Sequence, residues 1–573
     1  MAAAAAAGAR INCFFLNPIN PLNSKTTARF TTHLHFRLSR KTPPTFCTRA
    51  SATTPDETSA APANDPFVLT TPLYYVNAPP HMGSAYTTIA ADAIARFQRL
   101  LGKRVIFITG TDEHGEKIAA AAAANNSAPA QHCDLISQSY ITLWKNLDIG
   151  YDKFIRTTDP KHEAIVKEFY SRVLDNGDIY RADYQGLYCI NCEEYKDEKE
   201  LLENNCCPTH LKPCVARKED NFFFALSKYQ KRLEETLAKN PNFVQPSYRL
   251  NEVQSWIKSG LRDFSISRAL VDWGIPVPND SKQTIYVWFD ALLGYISALS
   301  EDIEQPSLDR AVSSGWPASL HLIGKDGMKM GKSLGNTIEP NDLVEKFGSD
   351  AVRYFFVREV EFGGDGDYSE DRFINIVNAH LANSIGNLLN RTLGLLKKNC
   401  QSTLVIDSSI AAEGTTFKDT VEKLVEKARV DYENLSLSSA CEAVLEISNA
   451  GNSYMDGRAP WSLFKQGGAA SEAAAKDLVI ILEAMRVIAI ALSPVTPSLS
   501  WRIYRQLGYS KDQFDAATWS DTRWGGLIGG QVMAQPQPIF ARIESQTEEE
   551  NRVDAPKKVK KNKLPQSQQV VEA

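Results

Sequence analysis

From Phe67 to Gly110 the sequence reads strand, helix, strand, and that order limits the fold more than any other feature. Phe67–Tyr75 (FVLTTPLYY) is a strand pattern that ends at Asn77 and the breaker pair Pro79-Pro80. Met82–Leu101 carries Ile89, Ala93, Ile94, Phe97 and Leu101 on one stripe, which is helical spacing. Val105–Ile108 is a buried strand, closed by Gly110. Two strands joined through a helix run parallel in one sheet, a βαβ unit, so the class is α/β. Helices are expected at Ala128–Leu147 and Lys161–Asn176. From Ile179 to about Val244 the periodicity fades and cysteines, aromatics and charges dominate, as in an insertion. Strand patterns return at Thr284–Trp288 and Leu320–Ile323. Pro340 to Leu507 reads as mainly helical, with Val421, Leu424 and Ala428 on one stripe.

The 573 residues exceed what one core holds, roughly 250–300, so several domains are expected. A composition of 43% hydrophobic and 23% charged residues excludes a mostly disordered chain. The most apolar stretch, Leu478–Leu492, is interrupted by Glu483 and Arg486 and falls short of the ~20 residues that span a bilayer. It reads as a buried helix, and no membrane partner is expected. The net charge of −5 hides an asymmetry. Residues 1–50 hold seven basic and no acidic residues, so the rest has 56 basic against 68 acidic residues, a net of −12. Any nucleic acid must therefore meet a local basic surface. The acid-free segment, rich in Ala, Ser, Thr and Arg, reads as an organelle transit peptide, with a basic tail as the plainer alternative. The Lys-rich stretch from Lys557 to Lys563 reads as a disordered tail.

Four constellations carry chemistry. Pro80-His81-Met82-Gly83-Ser84 lies between a strand end and a helix start, where free N–H groups suit phosphate. Gly83 permits close approach and His81 can donate; alone, the stretch is better read as a structural turn. Lys329-Met330-Gly331-Lys332-Ser333 puts two lysines on a loop, a phosphate clamp or simply a solvated basic loop. Cys189-x2-Cys192 and Cys207-x2-His210 are spaced as a tetrahedral zinc knuckle. Cys206 could replace Cys207 on count alone, but the CxxH spacing favours Cys207. Asn387 and Arg391 share a helix face at i,i+4, and Trp461 follows Pro460; amide, guanidinium and aromatic plate together suit unstacked single-stranded bases.

The first two constellations, in this order, resemble the HIGH and KMSKS signatures of class I aminoacyl-tRNA synthetases. Tyr74-Tyr75-Val76-Asn77, Gly110-Thr111-Asp112-Glu113-His114-Gly115, Asn251-Glu252-Val253, Trp273-Gly274-Ile275-Pro276-Val277-Pro278 and Trp288-Phe289-Asp290-Ala291 narrow the resemblance to the methionyl-tRNA synthetases, over about Pro66 to Gln506. The resemblance implies a Rossmann-like doubly wound parallel sheet with an inserted zinc-knuckle domain and an α-helical anticodon-binding domain. It implies a methionine–tRNA ligase that uses ATP, Mg²⁺ and Zn²⁺, with tRNA(Met) as partner, acting as a monomer in chloroplast or mitochondrion. His81, Lys329 and Lys332 take the catalytic role on ATP; Gly83, Ser84 and Ser333 join them in binding it. Leu73, Tyr75, Asp112 and Trp288 hold methionine, with Asp112 on the ammonium. Cys189, Cys192, Cys207 and His210 bind the metal, a structural one. Asn387, Arg391 and Trp461 match the anticodon-reading positions for CAU. Ser84 stands for the usual second His of HIGH, and Gly331 for the usual first Ser of KMSKS.

The resulting division is 1–62 transit peptide, 63–178 first catalytic half, 179–250 insertion with the knuckle, 251–340 second catalytic half, 341–380 linker and stem contact, 381–545 helical anticodon domain and 546–573 tail. One departure is larger. Only five residues separate Ile323 from Lys329, whereas a further parallel strand needs a crossover of about a dozen residues or more. The family pattern has roughly thirty residues here, a helix and a strand. The expected consequence is an exposed sheet edge, a methionine pocket short of one wall, and severe destabilisation or loss of adenylation. A shortened chain that keeps only tRNA binding is the second reading. A synthetase for Leu, Ile, Val or Cys is the third, disfavoured by the short insertion and by the GTDEHG and WGIPVP contexts.

Overall fold

The computed structural model describes residues 66–196, 198–300, 304–322, 338–362, 368–405 and 415–544. The segments read as a transit peptide and a tail, and the loop bearing Lys329, Gly331, Lys332 and Ser333, lie outside the described residues.

The first strand, β1 (Phe67–Tyr75), helix α1 (Met82–Leu100) and strand β2 (Val105–Asp112) form the expected parallel unit. Helices α2 (Glu116–Ala124) and α3 (Pro129–Asn146), strand β3 (Lys153–Arg156) and helix α4 (Pro160–Asp175) follow. Strand β2 runs on through Gly110 instead of closing there. A Cβ on Gly110 would collide with the Ile155 carbonyl of β3, so this glycine serves the close approach of two strands.

The insertion is a long antiparallel hairpin. Strands β4 (Ile179–Cys189) and β6 (Val215–Phe224) pair along their length, with β5 (Glu194–Lys196) on the outer side of β4. Helices α5 (Gln230–Lys239) and α6 (Ser247–Lys258) follow. Strand β7 (Phe264–Ser265) joins this sheet beside β6. A small sheet of β8 (Ser267–Arg268), β9 (Pro276–Val277) and β10 (Asp280–Ile285) leads back to the catalytic body. The strand expected at Thr284–Trp288 ends at Ile285, where pairing with Ser267 stops. Trp288 lies instead on helix α7 (Val287–Ala291), whose first turn closes with Asp290 N–H donating to the Tyr286 carbonyl. Short helices α8 (Gly294–Ser297) and α9 (Leu308–Ser313) precede β11 (Leu320–His321).

The parallel sheet has the order β11-β1-β2-β3. Among the described residues it ends at β11, a two-residue strand paired only through Leu69–Leu320 and Thr70–His321. Both faces are covered. One core packs α1 and α3 on the sheet through Ile89, Phe97, Leu143 and Trp144, and continues without a break into the helical region. The other packs α4 and the hairpin base through Ile165, Phe169, Phe224 and Ile285.

Helices α10 (Pro340–Phe347), α11 (Ser349–Glu359) and α12 (Glu370–Val377) lead into α13 (Asn387–Cys400), α14 (Thr415–Glu433), α15 (Leu437–Arg458), α16 (Pro460–Gln466), α17 (Gly468–Leu492), α18 (Pro497–Gln506) and α19 (Lys511–Asp515). The apolar stretch Leu478–Leu492 is the buried half of α17. Among the described residues no helix is long and apolar enough to cross a membrane.

Candidate active site and tRNA-reading face

The crevice of a doubly wound sheet opens at the carboxyl ends of its strands, and the residues in question gather there. Tyr75 and Asp112 are register partners at the ends of β1 and β2, and Leu73 sits opposite Gly110. A register shift between Thr70 and Leu73 carries these residues past the short edge strand β11. Leu73, Tyr75 and Trp288 all pack against the same core. The Leu73 N–H donates to Tyr295 Oη at 3.2 Å, and Leu73 lies against Gly294.

Asp112 is 3% exposed and its Oδ1 has no hydrogen-bond partner. Burial, followed by the charge of Asp290, raises its pKa well above the ordinary carboxylate range. Asp290, also buried, has His114 Nδ1 at 3.2 Å and His162 Nε2 at 4.0 Å. Burial raises the Asp290 pKa against the opposing pull of His114, and burial lowers that of His162 to about 3. The pocket is buried and acidic: Asp112 Oδ1 and both Asp290 oxygens lack a hydrogen-bond partner, and the two histidine nitrogens lie on the Asp290 side. Asp290 and Tyr295 were not singled out from sequence; the visible signal was an acid inside the apolar run Val287–Ala291.

The Pro80–Ser84 turn begins α1. His81 is its N-cap, and its Nδ1 accepts from Gly83 N–H at 3.0 Å. Ser84 Oγ accepts from His81 N–H at 3.1 Å and donates to the His81 carbonyl at 2.7 Å. Ser84 thus completes a capping box that fixes His81 at the helix end. His81 is exposed and Gly83 half-buried.

Cys189, Cys192, Cys207 and His210 converge, with their ligand atoms all within 4.8 Å of one another. Cys192 Sγ is 3.6 Å from Cys207 Sγ and 3.3 Å from His210 Nδ1; Cys189 and Cys207 Sγ each lie 3.8 Å from that nitrogen. A tetrahedron with sulfur about 2.3 Å from zinc has edges of about 3.8 Å, so the donor set and its size fit Zn²⁺. Cys206 and Cys214 lie outside the cluster.

Asn387 and Arg391 sit in the first two turns of α13, and Trp461 in the first turn of α16. The Arg391 guanidinium lies 5.4 Å from the Trp461 ring centroid and pairs with Asp456 at 2.9 Å. Asn387 is exposed, and Arg391 and Trp461 are half-buried.

Residues 67–212, 197–328 and 323–393 match the family model of class I tRNA synthetases (M), and 407–555 match that of the anticodon binding domain of methionyl tRNA ligase. Fold and site together define a class I aminoacyl-tRNA synthetase. The chloroplastic/mitochondrial methionine–tRNA ligase of Arabidopsis thaliana is 72% identical over 591 residues, covering 96% of this chain and 95% of that protein. The methionine–tRNA ligase of Nostoc sp. is 48% identical, covering 84% of this chain and 98% of its own. The structure of Mycobacterium tuberculosis methionyl-tRNA synthetase in complex with methionyl-adenylate superposes with a TM-score of 0.77 at 34% identity, covering 83% of this chain and all of that one. The chain belongs to the methionyl-tRNA synthetase family. Two further observations bear on the short Ile323–Lys329 join. The family match breaks there, with residues 323–328 shared by two stretches. The Arabidopsis alignment also spans more positions, 591, than the 573 residues of this chain, so that relative carries residues without a counterpart here.

Proposed function

We propose that this chain is a methionine–tRNA ligase of organellar translation, which activates L-methionine with ATP and transfers it to tRNA(Met). The observation that carries the reading is the buried Asp112 carboxylate, with Oδ1 unpaired, opposite Tyr75 at the strand ends. In this reading Asp112 receives the methionine ammonium in a charge-assisted hydrogen bond. Leu73, Tyr75 and Trp288 wall the thioether, whose polarizable sulfur packs well at ring edges.

His81 and Gly83 hold ATP phosphate at the N-terminus of α1, where the helix dipole favours anions, and Ser84 fixes that turn through the His81 backbone. Lys329 and Lys332, with Ser333, complete the clamp from outside the described residues. A methionine carboxylate oxygen attacks the α-phosphorus in line; the bond to the β-phosphate breaks and pyrophosphate leaves. A terminal ribose hydroxyl of tRNA then attacks the acyl carbon, and AMP leaves. No protein nucleophile takes part; catalysis is positioning and charge stabilisation. Mg²⁺ accompanies ATP. The knuckle holds a structural Zn²⁺, and Asn387, Arg391 and Trp461 read the CAU anticodon. The 1–62 segment is an organelle address, in keeping with the chloroplastic/mitochondrial relative.

A chain that only binds tRNA is not favoured, because Leu73, Tyr75 and Asp112 stand together at the strand ends. Charging of a CAU-anticodon tRNA with methionine in the presence of ATP tests the proposal. Charging by methionine alone among the amino acids supports it; tRNA binding without charging, even when the Ile323–Lys329 crossover is restored, overturns it.

A further inference from the structure

Glu193 belongs to the knuckle by sequence and to the catalytic pocket by contact. It follows Cys192 directly, has φ of 55°, and its N–H donates to the Ile190 carbonyl to close the Cys189–Cys192 turn. It is not among the four convergent metal donors. Its carboxylate is buried, with the residue 5% exposed, and reaches into the catalytic body. Oε2 accepts from Tyr75 Oη at 2.6 Å, and Oε1 accepts from Lys117 N–H at 2.8 Å.

Those two bonds tie together elements that share no local sequence. Lys117 lies in the first turn of α2, whose own N-cap is Gly115 and supplies no side-chain cap. Glu193 provides that cap from the hairpin, with its charge at the positive end of the helix. The fit is closed by Gly115, at φ of 111°: a Cβ there would sit 2.5 Å from Glu193 Oε1 and 2.7 Å from Tyr75 Oη. Tyr75 is further held by the His114 carbonyl at 2.9 Å and by Lys117 Nζ, 5.3 Å from its ring centroid.

We propose that Glu193 is a positioning residue for methionine, transmitting the order of the Cys189–Cys192 turn to Tyr75. This rests on the reading of Tyr75 as a wall of the methionine pocket. A plain brace between domains would affect all ligands and stability alike; a positioning role acts through Tyr75 and on methionine.

Equilibrium binding of labelled L-methionine to the full chain, as written and with the crossover restored, separates the two, with ATP binding and zinc content measured in parallel. Glu193→Ala is expected to weaken methionine about tenfold or more, the worth of a hydrogen bond to a charged group, with ATP affinity and zinc content unchanged. Glu193→Gln should restore most of the affinity, since its oxygen can accept from Lys117 N–H while its amide donates to Tyr75 Oη. In the Tyr75→Phe background, Glu193→Ala should cost nothing further, because the coupled partner is gone. If Glu193→Ala fails to fold, Glu193→Asp, which keeps the charge but withdraws it from Tyr75, should show the same loss. Parental methionine affinity in the folded Ala or Asp variant overturns the inference, as does an equal loss with and without the Tyr75 hydroxyl. Methionine bound by neither parent chain would remove the pocket reading itself and this inference with it.

Discussion

Asp112 has been taken out of water without being given a full set of partners. Its pKa is raised by burial and by Asp290, so the folded state binds its proton more tightly than the unfolded chain does. Stability therefore falls as pH rises from about 4, the ordinary carboxylate value, towards that raised pKa. Asp112→Asn is expected to melt no lower than the parent at neutral pH, yet to bind methionine roughly 10–150-fold more weakly, the value of a charge-assisted bond of about 1.5–3 kcal/mol. Calorimetry and methionine titration on one preparation check both halves. In the parent, methionine affinity should decline as pH falls through the raised Asp112 pKa, because the neutral acid no longer attracts the ammonium. Ser84 is a second case of context setting a role. From sequence it was a possible phosphate donor in place of a histidine; its hydroxyl is engaged on both sides with the His81 backbone.

Within single elements, neighbours decide the sign of a change. Gly110→Ala forces a Cβ against the Ile155 backbone and is expected to cost about 1–3 kcal/mol, as overpacking does. Gly394→Ala, inside α13 with nothing within 4 Å of the added carbon, should instead stabilise by about 0.5–1 kcal/mol. Urea midpoints of the two variants should move in opposite directions. On the helical face, Trp461→Ala is expected to raise the KM for tRNA roughly 5–150-fold, a stacking loss of about 1–3 kcal/mol, with methionine-dependent pyrophosphate exchange unchanged. Sequence legibility followed the same division. Helix α1 was readable because its apolar stripe repeats at helical spacing. Helix α2 was not, because Ala119–Ala124 has no stripe. Strand β4 was obscured by an exposed hairpin with no single apolar face. Tyr75 and Asp112 could be named because they lie in motif segments at strand ends, and Leu73 because it stands two residues before Tyr75 on the same strand. Asp290 lay in a quoted motif yet received no role, and Glu193 and Tyr295 were not named, because each acts through a partner distant in sequence, which local spacing does not reveal.

Across the whole molecule, a buried tie joins α1, the helix that the Pro80–Ser84 turn begins, to the helical region. Arg353, fully buried on α11, donates to Asp92 Oδ2 on α1 at 2.6 Å and to the carbonyls of Val495, Pro494 and Leu147. With the continuous core around it, this guanidinium fixes α1 against the start of α18. The opposite flank of the sheet is less complete. Among the described residues β11 pairs only with β1, His321 on it is exposed, and five residues of sequence separate Ile323 from Lys329. The central claim is that these parts form a methionine–tRNA ligase whose adenylation depends on a full crossover between Ile323 and Lys329. Methionine-dependent exchange of pyrophosphate into ATP, measured on the chain as written and on the same chain with the crossover restored, tests it most directly. The expected result is exchange specific to methionine in the restored chain, lower by about a hundredfold or more, close to 3 kcal/mol, in the chain as written. No methionine-dependent exchange in the restored chain would contradict the ligase assignment, and equal rates in the two would contradict the role given to the crossover.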